Sequence, residues 1–131
     1  ADVTNQSGKD YIAYCFAEIE GYSSFGSYTG NGSSDGPFVY TGFRPSFVII
    51  KETTNTGSWV MLDTTRSTYN VINNASLWAD LSSAEGGSAS YFDMLSNGFK
   101  IRDTDSDKNS SGQTYIYMAF AENPFKNANA R

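Results

Sequence analysis

Phe47-Val48-Ile49-Ile50 is a run of four apolar residues, three of them β-branched, held between Ser46 and Lys51. A short continuous run of this kind, with turn residues beyond it, reads as a strand in the middle of a sheet. Downstream, Asn55-Thr56-Gly57 turns the chain into a second strand-like run, Trp59-Val60-Met61-Leu62. Upstream, residues 23–29 and 37–43 read as strands, separated by Gly30-Asn31-Gly32-Ser33-Ser34-Asp35-Gly36, a loop rich in residues that accept positive φ. Residues 67–72, 90–95 and 98–102 follow. The last two flank Ser96-Asn97-Gly98, and Asn-Gly between strand-like runs is the strongest short hairpin signal in the chain. Phe99 and Ile101 alternate with Lys100 and Arg102, as a half-buried strand requires. Residues 11–18 and 115–121 are aromatic, strand-like runs near the two ends. Leu77, Trp78 and Leu81 have helical spacing, so one short helical turn is expected near 75–82. Eight or nine short strands with frequent turn signals predict an all-β, single-domain antiparallel β-sandwich, with a small barrel as the alternative.

Composition agrees. A chain of 131 residues is long enough for one core. Its apolar content is carried by 9 Tyr, 9 Phe and 2 Trp, which two facing sheets bury efficiently. The formal charge is -5 and the nine Lys and Arg are scattered. Nucleic acid and anionic membrane surfaces both need a cationic patch, so neither is an expected partner. No apolar run approaches the ~18 residues of a membrane span, and membrane insertion is not expected. Residues 1–9 are polar and lack the apolar region of a signal peptide, which argues against classical secretion. The single cysteine, Cys15, cannot form an internal disulfide and is expected to be a small buried hydrophobe.

The chain also resembles itself. Asn5-Gln6-Ser7-Gly8-Lys9-Asp10-Tyr11-Ile12-Ala13-Tyr14-Cys15-Phe16-Ala17-Glu18 aligns with Asn109-Ser110-Ser111-Gly112-Gln113-Thr114-Tyr115-Ile116-Tyr117-Met118-Ala119-Phe120-Ala121-Glu122. Eight positions are identical at an offset of 104. Fixed-offset similarity is the mark of a repeat. It predicts that residues 1–20 are a strand equivalent to the end of an upstream copy, packed on the main domain. Residues 21–131 would form the sandwich unit, with a C-terminal tail over 123–131. The other reading is two pseudo-symmetric strands in one sandwich.

Catalytic chemistry finds little support. The chain has no His, which removes Ser-His-Asp and Cys-His arrangements and Cys/His zinc sites. Glu18, Glu20, Glu85 and Asp93 are carboxylates of the type a glycosidase pairs, but spacing cannot show that any two converge. No catalytic residue and no cofactor is expected. Asp103-Thr104-Asp105-Ser106-Asp107 has the alternation of a calcium loop. Lys108 stands where such a loop needs Gly, however, and Thr114 where it needs Glu. A solvated acidic loop is the favoured reading, with weak calcium binding by Asp103, Asp105 and Asp107 as the alternative. Trp59 and Trp78 are the candidate ligand-binding residues. With Tyr22, Tyr28 and Tyr40 they would offer aromatic faces on which sugar rings stack; the competing reading places both Trp side chains in the core.

Three stretches carry a family resemblance. They are residues 16–32, Phe-Ala-Glu-Ile-Glu-Gly-Tyr-Ser-Ser-Phe-Gly-Ser-Tyr-Thr-Gly-Asn-Gly; residues 38–49, Phe-Val-Tyr-Thr-Gly-Phe-Arg-Pro-Ser-Phe-Val-Ile; and residues 95–102, Leu-Ser-Asn-Gly-Phe-Lys-Ile-Arg. The ending over 115–126 completes the pattern. Together they resemble a domain of unknown function found, often repeated and C-terminal, in fibre-like virion structural proteins of marine and freshwater tailed phages. The resemblance implies a non-enzymatic virion structural module at the virion surface, in a tail fibre or exposed appendage for host adsorption. It implies other virion proteins as partners. Fibres are commonly symmetric oligomers, so a homotrimer is the expected state. A host-surface glycan is the candidate ligand for adsorption. Capsid decoration and carbohydrate binding are the alternative functions.

Overall fold

The computed structural model describes residues 4–66, 70, 76–86 and 91–124. Among them, eight strands form two antiparallel sheets. The larger sheet contains β1 (Ser23–Thr29), β3 (Pro45–Glu52), β4 (Trp59–Asp63), β5 (Leu77–Trp78) and β8 (Thr114–Ala121), in the order β1-β8-β3-β4-β5. The smaller contains β2 (Phe38–Tyr40), β6 (Phe92–Leu95) and β7 (Gly98–Ile101), in the order β2-β7-β6. The expected all-β, sandwich-like fold is what the chain adopts.

The core lies between the sheets and follows from the period-2 alternation of strand side chains. Val48 and Ile50 of β3, Val60 and Leu62 of β4, and Tyr115, Tyr117 and Ala119 of β8 point inward. Val39, Phe92, Met94, Phe99 and Ile101 meet them from the smaller sheet. Phe99 makes the bridge, with its ring 5.3 Å from Tyr117 in an edge contact and 5.1 Å from Phe92 in a stack. Phe47-Val48-Ile49-Ile50 is apolar on both sides because β3, central between β8 and β4, turns Val48 and Ile50 to the core and Phe47 and Ile49 to a second apolar surface described below.

The β6–β7 hairpin forms as its sequence requires, with Leu95 opposite Gly98 across a Ser96-Asn97 turn. Gly98 is demanded less by the turn than by β2. A Cβ there would run into the Val39 carbonyl oxygen and lie 3.0 Å from the Phe38 ring. The helical turn expected near 75–82 is not there. Leu77 and Trp78 instead extend the sheet by pairing with Met61 and Val60. Among the described residues the helical turn is α1 (Ser106–Asn109), whose N-cap is Asp105. Helical spacing misled because Leu77 and Trp78 are neighbours on opposite faces of a strand, a pattern two residues cannot distinguish from a turn of helix. The strand expected over 67–72 lies, apart from Asn70, outside the described residues. Residues 11–18, read as a strand, pair with none among the described residues.

Candidate functional site

The two tryptophans are placed on opposite faces. Val60 points inward, and Trp78 stands opposite it in register, half-buried against the core. Trp59, one residue before Val60, points outward and is exposed. One strand position reverses the face, so the pair cannot form a single platform. Tyr28 also points inward. Its ring stacks on Tyr115 at 5.1 Å and its hydroxyl donates to the Lys108 carbonyl at 2.7 Å. Burial pushes its phenol well above the ordinary range, with the neighbouring Tyr115 adding to the shift. Tyr22 and Tyr40 are exposed.

The acidic loop is organised around a lysine. Asp103 accepts the backbone N–H groups of Tyr91 and Asp105. Asp105 accepts that of Asp107, and Asp107 that of Ser58. The buried Lys108 ammonium lies 3.5 Å from Asp103 and 3.4 Å from Asp105. Burial raises the Asp103 carboxyl from its usual range, and the facing Lys108 works against that rise. The loop thus supplies its own cation where calcium was the alternative. Among the described residues, no three His, Cys, Asp or Glu side chains gather as a metal site. Next to Lys108, buried Asn109 donates to the carbonyls of Ser33 and Asp103 and to Asn31 Oδ1, and accepts the Asn31 N–H. These bonds pin two loops, β1–β2 and β7–α1, to α1 at one end of the sandwich. The loop is solvated in part: Thr104 and Ser106 are exposed and Asp105 and Asp107 half-buried, whereas Asp103 is buried, as are the following Lys108 and Asn109.

The carboxylates are dispersed. Glu85 pairs with Arg66 at 3.0 Å, and Asp93 faces Arg102 at 3.6 Å. Glu18 accepts the Ser24 hydroxyl at 3.3 Å and shares a cleft of about 290 Å³ with Glu20, Thr41 and Tyr40. Tyr40 is 67% exposed there, the most open aromatic among the described residues beyond the N-terminal segment.

The outward face of the larger sheet is apolar across its width. Phe25, Phe47, Ile49, Trp59, Met61, Ile116, Met118 and Phe120 share it by register. Over it lies the N-terminal segment. Phe16 packs its ring 6.2 Å from Phe25 and 5.9 Å from Phe120. The segment is tethered by the Ser23 hydroxyl, which donates to the Ala17 carbonyl at 2.8 Å. Between segment and sheet opens a cleft of about 460 Å³, lined by Tyr14, Phe16, Ile49, Trp59, Ile116 and Met118 among others. Cys15 is exposed rather than buried, since the segment carrying it joins no sheet. Sequence reasoning missed this cleft. Its signal was present in the unbroken apolar runs of β3 and β8, which ask for cover on both faces.

Fold and surface together define a two-sheet antiparallel β domain with an apolar cleft outside its core. Residues 1–124 match the family model described as Domain of unknown function (DUF7483), and the chain belongs to that family. Both copies of the internal repeat fall within the matched stretch. No curated protein and no solved structure matches the chain significantly.

Proposed function

We propose that this domain is a non-enzymatic virion structural module, part of a phage fibre or exposed appendage that contacts the host surface. The observation that carries the reading is the surface left open by the N-terminal segment and the outward sheet face. Tyr11, Ile12, Tyr14, Phe16, Trp59 and Ile116 are all exposed on a small domain. Of these, Tyr14, Phe16, Trp59 and Ile116 line one apolar cleft, and an apolar surface of that kind marks contact with another protein, as expected for a part built into a larger assembly. The resemblance drawn from residues 16–32, 38–49 and 95–102 supplies the virion context. A trimer is the expected state of self-association, with the loop ends left free for the host. Multiple copies per particle let each contact be weak.

Carbohydrate binding is the second reading, favoured by Tyr40 beside Glu18, Glu20 and Thr41. An open aromatic ring next to hydroxyl-binding carboxylates suits a sugar, whose apolar face stacks while its hydroxyls are held. The test is binding of the fluorescently labelled domain, displayed multivalently, to host cells and a glycan array. Saturable binding competed by one sugar and lost in Tyr40→Ala supports host contact through this cleft. Absence of cell binding together with retention on assembled capsids would replace adsorption by capsid decoration.

A further inference from the structure

The two copies of the repeat share more than sequence. Gly8 and Gly112 both adopt positive φ, 73° and 75°. The Lys9 N–H donates to the Gln6 carbonyl at 3.3 Å, and at the matching positions Gln113 donates to Ser110 at 3.2 Å. The Tyr11 hydroxyl accepts the Gln6 N–H at 2.8 Å, and Tyr115 accepts that of Ser110 at 2.8 Å. The turn that launches β8 is therefore built twice. Only the second copy enters a sheet among the described residues.

The facing of the first copy is also that of β8. Ile116, Met118 and Phe120 are the outward residues of β8, and their counterparts are Ile12, Tyr14 and Phe16. Tyr14 and Phe16 are the side chains turned onto the outer face of this domain's own sheet. Tyr115, Tyr117 and Ala119 are the inward residues, and among their counterparts Tyr11 and Cys15 are exposed. Phe16 thus brings the outward side of the segment onto this domain, while Ile12 and Tyr14 of that side, and Tyr11, Ala13 and Cys15 of the other, are exposed.

We infer that residues 5–18 fill the β8 position in the sheet of a second unit of this fold. The two large sheets would then pack outer face to outer face, at the ~10 Å spacing of stacked sheets, and the 460 Å³ cleft would become part of their contact. The short link over Ile19–Ser23, closed by the Tyr22 and Ser23 N–H groups on the Ile19 carbonyl, fixes the crossing from one unit to the next. This inference stands without the virion reading.

The test is an extended chain in which residues 19–108 precede residues 5–131, so that Asn5 follows Lys108 just as Asn109 does. Cys15 is its only thiol and takes the place of Ala119, which is fully buried. The expected result is a folded upstream unit and thiol labelling of Cys15 slowed ~100-fold or more against the 131-residue chain, since a core thiol reacts only through opening. Ala13→Pro, at the Tyr117 position, then unfolds the upstream unit in the extended chain and leaves the 131-residue chain unchanged. Cys15 labelling as fast as in the 131-residue chain overturns the inference. So does an upstream unit that stays unfolded, whether or not replacing residues 5–18 by residues 109–122 restores it.

Discussion

Residues 5–18 and 109–122 begin alike and end differently. Each makes the same tyrosine-clipped turn around a left-handed glycine. Then Tyr115, Tyr117 and Ala119 disappear into the core, while their counterparts Tyr11, Ala13 and Cys15 are exposed. Local sequence therefore sets the turn, and the neighbours set the strand. β8 has β1 on one side and β3 on the other. The N-terminal copy has no strand partner among the described residues: Phe16 packs on a sheet face, Ser23 and Ser24 bond Ala17 and Glu18, and one isolated bridge follows at Ile19. Strand stability resides in cross-strand pairs and burial, so one sequence is core in one place and surface in the other.

Substitutions at matched positions sharpen the contrast. The largest effect is expected for Ala119→Asp, which buries a charge between β1 and β3. It should cost more than ~4 kcal/mol and prevent folding. Cys15→Asp, its counterpart, should change stability by less than ~0.5 kcal/mol. Urea unfolding followed by tryptophan fluorescence measures both, and equal losses would break the comparison.

Asn109→Ala comes next. It removes the side chain that ties the Asn31, Ser33 and Asp103 segments together, and buried backbone groups lose their partners. A loss of ~2–3 kcal/mol is expected, against no measurable change for Asn5→Ala, since Asn5 is exposed. Thermal unfolding by circular dichroism separates the two.

The smallest contrast is Tyr115→Phe against Tyr11→Phe. The Tyr115 hydroxyl accepts from Ser110 and donates to Ser106 at 2.7 Å, linking α1 to the turn before β8. Its loss should cost ~1–2 kcal/mol, while the Tyr11 hydroxyl, which holds only its own turn, should cost a few tenths at most. Denaturant midpoints of the two variants test this, and a larger effect at Tyr11 would assign the N-terminal turn a role in the fold of this domain.

The fold was legible where the chain states its pairing locally. The β-branched run at Phe47-Val48-Ile49-Ile50 and the turn before Gly98 lead directly to β3 and to the β6–β7 hairpin. What was not legible depended on pieces distant in sequence. Trp59 and Trp78 separate onto two faces because Trp78 pairs with Val60 across 17 intervening residues, which no local pattern encodes. Lys108 was noted only as a departure from a calcium loop, yet it is the buried counter-charge of Asp103. The repeat was visible at once. That its two copies differ in burial was not, because burial belongs to the partner strands and not to the motif.

Amide hydrogen exchange on the 131-residue chain tests the central claim most directly, because it reads both copies in one molecule. The account predicts that amides of residues 115–121 exchange only on global unfolding, and that those of residues 10–18 exchange within a few tens-fold of the unprotected rate. Comparable protection in the two copies would contradict it, since the first would then be held by strand pairing as firmly as β8.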